Sequence, residues 1–536
     1  MKIKEIKIEN FRSIVECEFK FPDLLALIGE NNVGKSNIIC ALELFFNKNK
    51  PDGEEDYFDS SKPIEITITF TNLTDFEKEK ITEIHREKDD LFILKKIYPF
   101  GEDTKITSVK DDQETNIAPR GRQNVLADTI PELYLLPAIC DVADEIKLTS
   151  STNFGKFLSM ILESNETGFE EIDEFLTQIK NKLESKEDDA PLNKAGIEIS
   201  KILEQQFQIA AVTFKPKIIN RKDILKSLEV FVHDGHDDLI YQKGHGLQRA
   251  FIFAIMRLWA DKLNAKRPQE EKDKKDFIIA IEEPELYLHP HQQKIVYKIL
   301  GNLAIQTKEQ VQVIYTTHSS FLIHVEDYRN IGLVKKPTIE VGTKLTQYIE
   351  EIFSPDSKKE FSLLCQFDPE RNEMFFARKI IFVEGDTEKM SLPLLLEKFK
   401  IDVIGQSISI VECGSKGEIK LFINVLSKFN EKEKLLDYIV IHDKDIPWKN
   451  KDDPKKKEKE KQAEWENNEI KGLCENSGIP SYVFDPDFER ELKLEIGDEN
   501  KPYRARKAMQ EMDINNISQK LKDFLIDNLY PGQQKS

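Results

Sequence analysis

The chain has 536 residues, a formal net charge of −19 and six scattered cysteines with no CxxC pair. That length suits two or three domains. The acidic balance excludes a surface coated throughout with phosphate-binding cations but leaves room for a local basic channel. The cysteines read as reduced thiols of a cytoplasmic protein, neither a disulfide frame nor a zinc site, and no apolar run approaches the roughly 18 residues of a membrane span.

The opening stretch MKIKEIKIENF alternates apolar and charged residues, which predicts a strand and not a signal peptide. A second strand-like run, Leu24–Ile28, leads into GENNVGKS, Gly29 to Ser36, ahead of the helical run Asn37–Phe46. This matches GxxxxGK[ST] in full, in the strand–loop–helix setting that a phosphate loop needs. Its glycines, Gly34 among them, let backbone amides turn toward a phosphate, and the helix N-terminus favours the anion. Lys35 would reach the β- and γ-phosphates and Ser36 would hold Mg2+, with Asn31 and Asn37 beside them in the nucleotide-binding set.

Thr152–Gln208 reads as two or more helices, Phe154–Glu163 and Phe169–Glu184 among them, followed by polar Ser185–Pro191. It shows no sustained heptads and is too short for a long coiled coil. A dimerisation arm and a helical subdomain packed on its own head both fit it. Gly244-His245-Gly246-Leu247-Gln248-Arg249 then precedes the helical run Ala250–Trp259. Such a turn can offer amides to a γ-phosphate around Gly246 and Gln248, from its own or a partner subunit. Phe277–Ile281 is a buried-strand pattern ending in Glu282-Glu283-Pro284-Glu285, a Walker B arrangement. Glu282 would bind Mg2+ and Glu283 would deprotonate the attacking water, although Pro284 equally suits an acidic helix start. Val311–Tyr315 ends in Thr316-Thr317-His318-Ser319, which puts His318 where a γ-phosphate sensor belongs. In this order the segments resemble the ABC-type ATPase heads of the structural-maintenance and RecF group. The signature turn departs from that group's usual LSGGQ.

Beyond residue 370 the pattern restarts. Lys379–Val383 is strand-like and runs into Glu384-Gly385-Asp386-Thr387-Glu388-Lys389. Ile408–Val411 ends in Glu412-Cys413-Gly414-Ser415-Lys416-Gly417, and Tyr438–Ile441 ends in His442-Asp443-Lys444-Asp445. Strands alternating with helices imply a parallel sheet with ligands at the carboxyl ends of its strands. Glu384 and the pair Asp443/Asp445 are therefore expected at one edge, where hard oxygen ligands suit Mg2+ or Mn2+. The competing reading makes each acid a helix N-cap; it accounts for Asp386 or Asp443 singly but not for the group. The lysine-rich run Lys449–Lys461 reads as a solvated loop that could also approach a DNA backbone.

A glutamate after one strand and DxD after a later one resembles the Toprim domain. Nothing resembles the nucleophilic-tyrosine domain of a topoisomerase, and the zinc ribbon of a primase has no cysteines to build it. An ATPase head followed by FVEGDTEK, GSKGE, HDKD and FDPDFEREL (Phe484–Leu492) resembles the OLD (overcoming lysogenization defect) family. The single-chain layout is also similar to the nuclease subunit of the Gabija anti-phage system. The resemblance implies an α/β chain with an ATPase head over residues 1–370 and a Toprim nuclease over 371–536. It implies ATP, Mg2+ or Mn2+, DNA as substrate, a homodimer or larger homo-oligomer, and an accessory helicase as a candidate partner. Glu384, Asp443 and Asp445 would hold one metal ion. Glu388 and Glu489, with Asp487 as a further candidate, would hold a second. Lys501 would stabilise the transition state, with Lys507 as the alternative. A RecF-like DNA clamp whose Toprim domain does not cut is the alternative function.

Overall fold

The computed structural model describes residues 1–48, 50–81, 86–111, 113–116, 129–138, 229–265, 276–306, 311–365, 368–431, 434–447, 454–494 and 500–529, with short helical pieces at 174–175, 177–178, 193–195 and 197–201. The helical arm expected over Thr152–Gln208 lies outside the described residues apart from those pieces. By packing, Met1–Leu133, Lys275–Glu285 and Gln312–Ser536 form one unit, and Tyr134–Lys274 and Leu286–Val311 form another. The grouping does not follow a boundary near residue 370. The phosphate loop, the Walker B acids, His318 and the whole Toprim segment share the first unit.

In the first unit, strands β1 (Lys2–Phe11), β2 (Ile14–Lys20), β4 (Ile64–Thr71), β5 (Phe92–Tyr98), β6 (Lys105–Lys110) and β7 (Gln113–Asn116) form an antiparallel sheet in the order β2-β1-β4-β5-β6-β7. Strand β4 shows why. Its sequence IEITITFT puts Ile64, Ile66, Ile68 and Phe70 on one fully buried face, as the two-residue period of a strand requires. A second sheet runs β14 (Lys344–Thr346), β13 (Ile331–Lys335), β3 (Leu24–Ile28), β12 (Val311–Thr316), β11 (Phe277–Glu282). β3 lies parallel to both β12 and β13. It is apolar throughout, LLALI, because both of its faces are covered. At the start of β8 (Glu132–Leu136) the Glu132 amide donates to the Asp276 carbonyl.

The C-terminal sheet is wholly parallel: β16 (Ile408–Glu412), β15 (Lys379–Val383), β17 (Asp437–Asp443), β18 (Ser481–Phe484). Helix Asp386–Lys398 links β15 to β16 on one side; helix Lys416–Phe429 carries the chain back to β17 on the other. The chain therefore reverses direction across the sheet at β15, and a crevice opens there beyond the strand ends. The lysine-rich run is not a loop throughout. Residues 448–453 lie outside the described residues, but helix Lys456–Ser477 begins within the run. Its Lys and Glu residues recur at helical spacing, with Lys456 and Glu460 3.9 Å apart.

In the second unit, β9 (Phe231–His233) and β10 (Asp237–Leu239) form a short hairpin, and helices His245–Ala265 and Pro290–Gln306 pack on one another.

Candidate active sites

The phosphate loop is shaped by what its glycines avoid. A Cβ on Gly29 would stand 2.2 Å from the Val334 carbonyl oxygen, and one on Gly34, at φ 102°, would stand 2.2 Å from Thr343 Oγ1. Thr343, unmarked in the sequence, braces the loop from outside. Its hydroxyl donates to the Val33 carbonyl at 2.7 Å and lies 2.7 Å from Ser13 Oγ. Asn37 is turned to the same brace, its Nδ2 donating to Ser13 Oγ at 2.7 Å. Asn31 and Ser36 are exposed. Lys35 opens helix Lys35–Phe46, is buried, and donates to the Gly29 and Glu30 carbonyls at 3.0 and 2.8 Å. Burial pushes its pKa down to about 8, against the pull of Glu283 and Glu285.

Glu282 closes β11. The next residue, Glu283, is held at φ 43° by its amide, which donates to both the Thr316 carbonyl and Thr316 Oγ1 at 3.1 Å. Its Oε1 lies 3.9 Å from His318 Nε2. Burial and the charge of Lys35 lower the His318 pKa, so its ring is the neutral species around pH 7. Glu285 accepts from the His318 amide at 2.6 Å and is raised by burial. Lys35, Glu283 and His318 thus converge at the carboxyl ends of β3, β11 and β12.

In the second unit the helix begins at His245, earlier than the predicted run from Ala250, so Gly246 and Gln248 sit in its first turn. Gln248 is buried, and its amide donates to the Tyr241 and Lys243 carbonyls at 3.1 and 2.6 Å. Its side chain braces the turn. A Cβ on Gly246 would approach the Tyr287 carbonyl oxygen to 2.9 Å, and the His245 and Tyr287 rings lie 4.9 Å apart, tilted by 31°. The first-turn amides remain the groups that could meet an anion.

At the Toprim crevice the acids predicted from separate strands come together. Burial pushes the Glu384 carboxyl up to about 7, opposed by Lys416 and reinforced by Asp445 and Glu388. Burial raises Asp443 as well, with the charges of Glu388, Glu384 and Asp445 adding to it. Glu388 is raised by burial and by Glu489. Glu388 Oε2 accepts from the Gly385 amide at 3.2 Å, and Asp443 Oδ1 from the Phe488 amide at 2.8 Å. Glu384 Oε2 is buried without a hydrogen-bond partner. Lys501 Nζ lies 2.5 Å from Glu489 Oε1 and also feels Glu388 and Asp443. Lys507 is exposed. Asp487 is occupied elsewhere, capping helix Phe488–Glu491 and pairing with Arg490 Nε at 2.6 Å.

Among the described residues, no three His, Cys, Asp or Glu side chains already enclose a single ion. Two of the five carboxylates are paired with ammonium groups, Glu489 with Lys501 and Asp445 with Lys416, each at 2.5 Å. The donor set nevertheless fits a hard divalent cation. It is all carboxylate oxygen, and the orphaned Glu384 Oε2 is the kind of buried acceptor that is costly to leave unmatched. A cavity of about 850 Å³ is lined by His442 and Lys444, on either side of Asp443, with Asn467 among others and with none of the five acids.

Sequence reading passed over Lys416 and two residues joining the sites. Buried Asn372 donates to the Ser320 and Ile323 carbonyls at 3.0 and 2.7 Å and accepts from the Val325 amide at 3.1 Å, so it clasps the segment just after His318. Its neighbour Arg371 donates to the Glu412 carbonyl at 2.9 Å and to Glu412 Oε2 at 2.8 Å. Glu412 is in register with Val383, the residue before Glu384.

Residues 1–117 and 100–323 match a family described as an AAA ATPase domain. Residues 375–445 match an overcoming lysogenization defect protein-like Toprim domain. An OLD nuclease of Thermus scotoductus is 24% identical over 98% of this chain and 98% of its own length. The Old nuclease of Escherichia phage P2 is 27% identical over 81% of this chain and 77% of its own. An endonuclease GajA of Bacillus cereus is 23% identical over 74% of this chain and 68% of its own. Among solved structures, an SMC head bound to the C-winged helix domain of ScpA covers 65% of this chain at 15% identity and TM-score 0.37. The AAA match and the Toprim match together carry every motif assigned above up to Asp445.

Proposed function

We propose, for a chain that belongs to the AAA ATPase domain family and carries an OLD-like Toprim domain, an ATP-controlled, divalent-metal-dependent DNA endonuclease of antiviral defence. The carrying observation is the convergence of Glu384, Glu388, Asp443, Asp445 and Glu489 in one crevice with a buried, unpartnered Glu384 oxygen. Glu384, Asp443 and Asp445 would hold one ion, Glu388 and Glu489 a second. Two such ions supply a water activated for attack and a stabilised leaving oxygen. Lys501, half-exposed at the cluster, would offer its ammonium to the charge that builds on the scissile phosphate. A nucleic-acid phosphodiester as substrate follows the printed names of the relatives, which are nucleases, and DNA is the form proposed here.

In the ATPase, Lys35 and Ser36 would bind the nucleotide phosphates, and Glu283, fixed by Thr316, would take the proton of the attacking water. His318 would read the γ-phosphate. Its segment is clasped by Asn372, whose neighbour Arg371 holds the end of β16, and that contiguous contact supports control of the Toprim site by nucleotide. The turn at Gly246 and Gln248 would act on the nucleotide of a second copy, which makes a homodimer the working unit; a monomeric mass by light scattering would remove this part. An accessory helicase and a cytoplasmic setting complete the reading.

The test is plasmid incubated with Mg2+ or Mn2+, with and without ATP, using wild-type protein, Glu384→Ala and Lys35→Ala. Cutting should need Glu384, and its response to ATP should need Lys35. DNA binding without cutting under any metal would leave the RecF-like clamp. Cutting by Glu384→Ala at the wild-type rate would exclude the Toprim crevice.

A further inference from the structure

Lys416 sits where an ammonium has least reason to be. It is the first residue of helix Lys416–Phe429, after the N-cap Ser415, where the positive end of the helix dipole disfavours a cation. It is also 3% exposed, and taking a lone ammonium out of water costs several kcal/mol, an order-of-magnitude figure. What offsets both penalties is the acid cluster. Lys416 Nζ lies 2.5 Å from Asp445 Oδ2, and Glu384 feels its charge more than that of any other group. Lys501 is built the same way, first in helix Lys501–Glu511 and 2.5 Å from Glu489, but it is half-exposed at the edge. Lys416 is the enclosed one.

We propose that Lys416 is a built-in counter-ion of the Toprim crevice: it holds Asp445 while the divalent cations are away, competes with them for that carboxylate, and stays to receive a phosphodiester when they arrive. The proposal rests on the metal-dependent reading above. Charge balance gives it its logic. Five carboxylates against two ammonium groups leave the crevice three charges negative when all are ionised. Two divalent cations would overshoot by one positive charge, and one phosphodiester would cancel it. Without Lys416 the doubly loaded crevice would be neutral and would have no surplus to attract the substrate. Lys416 also bonds only Oδ2 of Asp445, which leaves Oδ1 to a cation. It is a positioning residue: it acts through Asp445 and through the field.

The experiment measures Mn2+ binding to the full-length chain by electron paramagnetic resonance, alongside melting in EDTA and in saturating Mn2+. The proteins are wild type, Lys416→Gln, Lys416→Arg and Glu384→Ala. Gln keeps a hydrogen bond to Asp445 and removes the charge; a unit charge a few ångströms from a divalent ion predicts Mn2+ binding at least about tenfold tighter in Lys416→Gln. The same variant should melt several degrees lower than wild type in EDTA, because the half-buried Asp445 carboxylate and the acids around it lose their enclosed counter-charge, and the gap should close in Mn2+. Lys416→Arg should restore both values toward wild type. A merely structural ion pair predicts the opposite pattern, with unchanged or weaker Mn2+ binding and a melting gap that persists in Mn2+, and either result overturns the proposal. If Lys416→Gln is unfolded in EDTA yet folded in Mn2+, the counter-ion role is supported in its strongest form; unfolded in both, it is refuted. Failure of the underlying metal reading looks different: wild type binds no Mn2+, or Glu384→Ala binds it as well as wild type.

Discussion

The two sites in the first unit use the same piece of architecture for opposite charges. Lys35 and Lys416 are each the first residue of a helix that follows a strand of a parallel arrangement, and each is buried. Lys35 bonds only backbone carbonyls of its own loop, and burial depresses its pKa. Lys416 bonds a carboxylate, in a crevice where burial raises the carboxyls of Glu384, Asp443 and Glu388. At the first site a buried ammonium bonded only to carbonyls awaits an anion. The second is short of positive charge and is made for cations. In each, part of the folding free energy is held back as unsatisfied charge until the ligand arrives.

The sharpest break between the two is chemical. Glu283→Gln should slow ATP turnover by about a hundredfold or more, the usual loss on removing a general base, while ATP binding persists. Glu384→Ala should abolish plasmid cutting and leave phosphate release within about twofold, because its effect lies in the other crevice. Phosphate release and nicking measured on the same preparations separate them. If Glu283→Gln turned over ATP at the wild-type rate, the Walker B assignment would be lost. Next in size is the steric prediction. Gly34→Ala places a Cβ 2.2 Å from Thr343 Oγ1 at a φ of 102°, a strain of about 1–3 kcal/mol or more. It should abolish nucleotide binding by distorting the loop, and Gly34→Ala combined with Thr343→Ala should recover part of it. No recovery would mean that the backbone angle, not the contact, carries the cost.

How much of this was legible in the sequence follows from how far apart the partners lie. GENNVGKS is contiguous, so loop, lysine and helix start could all be read from eight neighbouring residues. Glu384 and Asp443/Asp445 were legible because each follows an apolar strand, and a parallel sheet brings strand ends to one edge. Lys416 was not legible: in GSKGE it looks like a solvated helix start, and its partner Asp445 is 29 residues on, across a strand crossover. Asn372 was hidden for the same reason, its three bonds reaching 47 to 52 residues back. The helix start at His245 was missed because two glycines in Gly244-His245-Gly246 read as a turn. The lysine-rich run is helical from Lys456 because its Lys and Glu residues recur at helical spacing, a signal masked by its charge and polarity.

A smaller effect concerns the join between the sites. Asn372→Ala removes three buried hydrogen bonds and should cost about 2–3 kcal/mol of stability, a figure set by the carbonyls and amide left unmatched. Its diagnostic effect is on control. The ratio of nicking rates with and without ATP should move toward one, while each site's own activity stays within about threefold. An unchanged ratio would show that the Asn372 clasp is structural and that nucleotide state reaches the crevice by another route.

The smallest effect is a proton. The ordinary lysine pKa of 10.5 is lowered to about 8 in Lys35 by burial, so between about pH 8 and 10.5 the nucleotide-free protein has shed this proton while the unfolded chain keeps it. The sign follows from proton counting. In that window the unfolded chain binds more protons than the native one, so the stability cost of a charged, buried Lys35 is fully present below pH 8 and is relieved as the pH rises. ATP works in the other direction. Its phosphates favour the ammonium and return the pKa toward the ordinary value, so binding near pH 8.5 should take up as much as about three-quarters of a proton. His318, whose pKa lies below 6.5, adds little at that pH. Calorimetric titration with ATP at pH 8.5, in buffers of different ionisation enthalpy, reads the uptake directly. Lys35→Arg keeps the charge and cannot titrate, so its uptake should vanish while some binding remains. Equal uptake in wild type and Lys35→Arg would assign the proton to another group and remove the contrast between a site waiting for an anion and one waiting for cations.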